Sequence, residues 1–191
     1  MNRLIIFLIV VLIILSGVFI LSKKKRDYVV DDNYSDENIV TSYFKDESGK
    51  YALHYPADWA LEDHSFKNEL IRADLFLAEI TGIQIRIMDY DGRDQDRYIR
   101  GYLNNFEQDM EEHWQGKATN VEKNSNVFSK TNCWKLSLDF ISGQDQEWYF
   151  IHYLWFRDSD VLVFQSGIMQ KYQQLYEQVI DEIARSVVMF D

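Results

Sequence analysis

Residues 148–156 (WYFIHYLWF) constrain the fold more than any other segment, because both alternating sides of the segment are apolar or aromatic. The two sides consist of Trp148, Phe150, Leu154 and Phe156, and of Tyr149, Ile151, Tyr153 and Trp155. A strand with two apolar faces belongs inside a sheet that is covered on each side. The sequence therefore predicts a layered domain with this strand near its centre.

Alternating patterns and turn residues place the remaining strands. Strands are expected at 40–45, 50–55, 70–79, 83–87, 132–142, 147–157 and 161–168, with a short edge segment at 187–190. Gly49 is expected in the turn of the first hairpin, and Thr81 with Gly82 in a turn before 83–87. The short connections between the last three long strands predict an antiparallel meander.

Two amphipathic helices are predicted among these strands. Asp94 is a suitable N-cap for a helix over 95–114, whose apolar residues recur at helical spacing. A second stripe predicts a helix over 169–185. The order of strands, helix, strands, helix indicates an α+β fold, with an antiparallel sheet packed by helices.

The N-terminus carries an 18-residue run without charge at 4–21 (LIIFLIVVLIILSGVFIL). Such a run is long enough for one transmembrane helix, and no good signal-cleavage site follows it. The expected organisation is a membrane anchor with a basic flank at 1–26, an acidic linker at 27–38 and an α+β domain at 39–191.

Lys23, Lys24, Lys25 and Arg26 follow the run and are candidates for contact with anionic lipid headgroups. Basic residues beside a span favour the cytoplasmic side, so this flank would retain the domain there. Large domains nevertheless translocate despite such charge, and the side of the membrane stays open at this point.

The remaining sequence is strongly acidic. Residues 27–191 hold 15 basic and 31 acidic side chains, a net charge of −16. This charge repels phosphate backbones and excludes nucleic acid as a partner. It favours a protein partner with a basic surface.

No catalytic constellation is recognisable in the sequence. Cys133 is expected to be a packed apolar residue, and His152 a core histidine in the most apolar strand. No serine-nucleophile or phosphate-binding glycine motif is found. We therefore expect a protein that is not an enzyme.

Two weaker site hypotheses remain. Trp59, Trp114, Trp134 and His54 are candidates to line a ligand cleft between the sheet and the helix at 95–114. Asp89, Asp91, Asp94 and Asp96 could hold Ca²⁺, although their spacing does not fit an EF-hand loop. The expectation is a domain that needs no cofactor, with calcium as the alternative.

The chain resembles the PsbP-like α/β sandwich family. The resemblance rests on 51–56 (YALHYP) with Asp58 and Trp59 just after it, on 161–167 leading into a helix, and on 185–190 (RSVVMF), and it covers about 43–190. It implies an accessory protein, often secreted or attached to a membrane, that binds a larger complex. The resemblance favours an extracytoplasmic position of the domain, whereas the basic flank favours the cytoplasm. No functional residue of the family is matched to a position in this sequence.

These inferences lead to one main functional hypothesis. It is a membrane-tethered, non-catalytic accessory or assembly module that binds a partner protein or membrane complex. The alternative is a small-molecule or lipid-binding domain that uses the aromatic cleft.

Overall fold

The computed structural model describes residues 41–64, 71–77, 81–92, 94–128 and 132–190. The predicted anchor and linker lie outside these residues. Within the described ranges no helix is both long and apolar enough to cross a membrane.

The described chain contains ten strands and two α-helices. They are β1 (Thr41–Lys45), β2 (Tyr51–Pro56), β3 (Ala60–Asp63), β4 (Ile71–Leu77), β5 (Thr81–Asp89), α1 (Gln95–Trp114), β6 (Lys117–Ser125), β7 (Cys133–Ile141), β8 (Glu147–Phe156), β9 (Asp160–Met169), a 3₁₀ turn (Gln170–Tyr172), α2 (Gln173–Arg185) and β10 (Val188–Met189). All strand pairs are antiparallel. The α+β class predicted from the sequence is confirmed.

The strands form two sheets. The large sheet has seven strands in the order β3-β4-β5-β9-β8-β7-β6, and the small sheet has the order β1-β2-β10. β8 pairs along its length with β7 and β9, so it lies inside the large sheet as predicted. Phe150 lies opposite Gly167 on β9, and its ring occupies the space that a Cβ at Gly167 would need.

Each face of β8 contributes to a separate hydrophobic core. On one face, Phe150, Leu154 and Phe156 pack with the buried residues of α1, which are Ile99, Leu103, Phe106 and Met110. On the other face, Ile151, Tyr153 and Trp155 pack with α2 and with residues of the small sheet. The domain is therefore layered, with the large sheet in the middle.

The structure corrects four details of the predicted elements. β3 and β6 were not predicted, because their sequences (ALED and KATNVEKNS) are polar and largely exposed edge strands without an apolar alternation. Thr81 and Gly82 lie inside β5, where they pair with Ile168 and Gly167, and do not form a turn. Met169 ends β9, and a 3₁₀ turn precedes α2.

A buried ion pair connects the hairpin of the small sheet to the large sheet. Nε and an Nη of Arg72, on β4, donate to Oδ1 of Asp46 at 2.9 and 2.8 Å. The backbone N–H of Ser48 donates to Oδ2 of Asp46 at 3.1 Å. Asp46 is 1% exposed and Arg72 8%, so both charges depend on these contacts for solvation.

Asp46→Ala should reduce the free energy of unfolding by about 3–5 kcal/mol, because it leaves the Arg72 guanidinium buried without its carboxylate. Urea denaturation of the full chain in detergent measures this loss. Glu47→Ala changes the neighbouring exposed carboxylate and should cost less than about 0.5 kcal/mol. Equal losses of unfolding free energy in the two variants would contradict a specific stabilising role of the Asp46–Arg72 ion pair.

Candidate functional site

α1 covers only part of its face of the large sheet. The buried sheet residues packed beneath it come from β7, β8 and β9 within the described chain. On the same face, β3, β4 and β5 carry polar side chains where a core would carry apolar ones. This uncovered part of the sheet is the first candidate surface.

We call its side chains the polar strip: Glu62, His64, Asp74, Gln84, Arg86 and Gln165. The cross-strand register builds the strip, since Glu62 pairs with Asp74, Asp74 with Gln84, and Gln84 with Gln165. The same row continues to His152 on β8 beneath α1. A single row of side chains therefore runs from the sheet edge to the buried core.

Hydrogen bonds link most of the polar strip. Nε2 of His64 lies 3.0 Å from Oδ2 of Asp74, and Nε2 of Gln84 donates to Oδ1 of Asp74 at 3.1 Å. Nε of Arg86 donates to Oε1 of Gln84 at 2.5 Å. The carboxylate of Asp74 is thus held between two side chains, and Arg86 is oriented by the second of them.

At the buried end of the row, Nδ1 of His152 lies 2.6 Å from the hydroxyl of Tyr102 on α1. His152 is fully buried, and its ring packs edge-on against Phe106 at 4.5 Å between centroids. Burial, with a smaller contribution from Arg86, lowers the pKa of His152 to about 3. The ring is therefore neutral at physiological pH, as expected for a core histidine.

A second candidate surface is a groove of about 440 Å³ along α2. Six side chains of that helix line it: Gln174, Glu177, Gln178, Asp181, Glu182 and Arg185. We call it the α2 groove. Three of the six are carboxylates, so a positively charged ligand group would be attracted to it.

Two of these carboxylates are held in place by the sheet. Nζ of Lys135, on β7, lies 2.9 and 3.0 Å from the carboxylate oxygens of Asp181 and 3.4 Å from Oε1 of Glu177. The hydroxyl of Tyr149 donates to Glu177 at 3.1 Å, and that of Tyr153 donates to Asp181. These contacts fix the wall of the α2 groove before any partner binds.

The structure does not bring together the four residues predicted to line an aromatic cleft. Trp59 is buried in the core on the α2 side. Trp114 packs against Phe140 and Trp148 near the end of α1, whereas Nε1 of Trp134 donates to Gln95 at its start. His54 is exposed on β2. Buried side chains pack between α1 and the sheet. The four residues lie apart in the described structure, and a ligand cleft lined by them stays a prediction.

The acidic cluster has a structural role at one position. Asp94 caps α1, with Oδ1 accepting from the N–H of Arg97 at 2.9 Å, and Asp96 lies in the first turn. Asp89 ends β5, and Asp91 lies in the connection to α1. Among the described residues, no three histidine, cysteine or acidic side chains are grouped as a metal site.

Cys133 is buried, and its burial raises the pKa of the thiol.

Sequence comparison finds no matching family model and no matching curated protein. Solved structures do match. A solution structure of cyanobacterial PsbP (CyanoP) from Synechocystis sp. PCC 6803 aligns with a TM-score of 0.62 at 12% identity, over 82% of this chain and 96% of that one. This domain has the PsbP-like α/β fold.

Two further structures align with this fold at low identity. The Saccharomyces cerevisiae Ran-binding protein Mog1p has a TM-score of 0.53 at 12% identity, over 81% of this chain and 97% of that one. LpqN of Mycobacterium tuberculosis, involved in cell envelope biogenesis, has a TM-score of 0.53 at 9% identity. The alignment covers 86% of this chain and 98% of that one. The resemblance seen in the sequence is thus confirmed at the level of the fold.

His152 should make the domain less stable in acid. Its pKa is about 3 in the folded state and about 6.5 in an unfolded chain, so only the unfolded state binds a proton there between these values. The residue's contribution to stability is present above about pH 6.5 and decreases as the pH falls towards 3, by up to about 1.4 kcal/mol per pH unit.

Urea unfolding at several pH values tests this, with His152→Gln compared with the parent protein. The variant should be less stable at neutral pH but should show a shallower decline between pH 6.5 and 4. His54→Gln, at an exposed position, should leave the decline unchanged. A decline of the same slope in the His152 variant would show that another group causes it.

Proposed function

We propose that this protein is a membrane-tethered, non-catalytic module that binds a partner protein or a membrane complex. The observation that carries the proposal is the α2 groove, a preformed acidic surface on a domain whose cores are filled. The fold adds support, because one protein that shares it is a Ran-binding protein and another is involved in cell envelope biogenesis.

The chemistry of the α2 groove suggests a basic partner segment. Glu177 and Asp181 are half-buried and oriented by the sheet, whereas Gln178, Glu182 and Arg185 are exposed. Lysine or arginine side chains could therefore meet two oriented carboxylates as well as the exposed carboxylate of Glu182. Preorganised carboxylates lower the cost of ordering an interface, which favours recognition of such a segment.

The N-terminal segment completes the proposal. An anchor at 4–21 followed by the linker at 27–38 would hold the domain close to the membrane surface. Tethering raises the local concentration of a membrane partner, so a modest interface is sufficient. The proposed location is the membrane. Identification of the partner would show on which side of the membrane the domain lies.

Site-directed photocrosslinking in native host membranes tests the proposal. A photoreactive residue at Gln178 lies in the α2 groove, and one at Asn104 lies on the exposed side of α1 as the control. We expect a discrete crosslinked product from Gln178 that is absent from Asn104. No product from Gln178, or the same products from both positions, would contradict the use of the α2 groove.

Charge reversal tests the nature of the partner. Glu182→Lys should weaken association with the crosslinked partner about tenfold, which corresponds to about 1.4 kcal/mol. Raised salt should weaken the parent complex in the same direction. Glu111→Lys makes the same charge change on the exposed side of α1 and should have little effect. Equal effects of both reversals would indicate a response to net charge rather than to the α2 groove.

A further inference from the structure

Arg86 differs in its charge partner from the other described arginines of the strands and their turns. Arg72 is paired with Asp46, and Arg157 makes two 2.5 Å hydrogen bonds to the carboxylate of Asp160. Arg86 is half-buried on β5 but forms no ion pair within the described chain. Arg97, Arg100 and Arg185 are exposed, so solvent can hydrate their charges.

The environment of Arg86 orients the guanidinium and leaves its far edge available. Nε donates to Gln84, which fixes the plane of the group. The nearby carboxylate of Asp74 already accepts from Gln84 and contacts His64. Neither Nη group has a hydrogen-bond acceptor within the described residues. The two together can bind a carboxylate end-on, whereas Arg72 and Arg157 bind theirs through Nε and one Nη.

The charge of Arg86 also affects the pKa values of His152 and Tyr102, which lie buried beneath α1. It opposes protonation of His152 and favours ionisation of the Tyr102 hydroxyl, although burial dominates both pKa values. Nε2 of His152 is buried and has no hydrogen-bond partner in the described structure. A half-buried cation and an unsatisfied ring nitrogen thus lie on neighbouring parts of one sheet face. His152 is fully buried beneath α1, so the available donors of Arg86 alone indicate an incomplete polar site.

We propose that Arg86 is the anchor of a carboxylate-binding site on the polar strip beside α1. A planar, singly charged carboxylate matches the fork of Nη donors. A doubly charged phosphate fits less well, because Asp74 and Glu62 lie in the adjacent row of the same sheet face and the chain has a net charge of −11. The site lies on the opposite side of the large sheet from α2, so this inference does not depend on the proposed function.

The full chain in detergent micelles, labelled with ¹⁵N-arginine, provides the test. Sodium acetate is titrated against sodium chloride at equal ionic strength while the arginine Nε–H signals are followed by NMR. We expect the Arg86 signal to shift saturably with acetate and not with chloride. Equal responses to the two salts, or no response to acetate, would overturn the proposal.

Two variants separate recognition from charge. Arg86→Lys retains the positive charge but loses the planar fork, and should weaken acetate binding at least about tenfold, judged by backbone amide shifts of β5 in uniformly ¹⁵N-labelled protein. Arg97→Lys, on the exposed side of α1, should bind acetate as the parent does. Undiminished binding by Arg86→Lys would overturn the assignment of Arg86.

A peptide probe identifies the source of the carboxylate. A short neutral peptide with a free C-terminus is compared with its C-terminal amide in the same titration. Tighter binding of the free peptide than of acetate would assign the site to a polypeptide carboxylate. If acetate binds at Arg86 at least as tightly as the free peptide, the site takes a small organic acid. Binding of the amide equal to that of the free peptide would contradict carboxylate recognition.

Discussion

Burial of β8 on both faces is the constraint on which the rest of the domain depends. Ile151 and Tyr153 face one core, and Phe150 and Leu154 face the other, so each layer is attached to this one strand. α1 and α2 stabilise opposite faces of the same sheet through the burial of apolar surface. His152 is the polar exception on this strand, and the hydroxyl of Tyr102 meets one of its nitrogens.

Because the two cores are filled, the candidate surfaces are an uncovered part of the large sheet and the outer side of α2. On the α1 side this leaves the polar strip, and on the α2 side the groove whose carboxylates Lys135 orients. The two surfaces differ in chemistry: one presents a guanidinium with available donors, and the other presents carboxylates.

The fold was largely predictable from the sequence because its central elements have strong periodicity. The helix at 95–114 and the strand at 147–157 bury complete stripes, so their positions followed from apolar spacing. β6 has no such stripe, and its exposed residues gave no signal. Gly82 resembled a turn residue but lies in a ladder opposite Gly167, which only the tertiary structure could show.

The polar strip could not be predicted, since cross-strand register brings together residues far apart in sequence. His64 contacts Asp74, ten residues later, across the β3–β4 pair, and nothing in the sequence links the two. Arg86 follows an ordinary strand pattern, and only the tertiary structure shows that no carboxylate of the described residues pairs with it. The sequence offered one signal for the polar strip, which is the alternation of the polar residues Gln84 and Arg86 with apolar residues in the strand before α1.

If a partner binds at the α2 groove, the double core around β8 should stay intact in the complex. Hydrogen–deuterium exchange of the full chain, alone and in complex with its crosslinked partner, tests this most directly. We expect slow exchange of β8 in both states, with added protection confined to α2 and to β7, whose Lys135 contacts that helix. Added protection centred on the covered side of α1, or faster exchange of β8 in the complex, would contradict it.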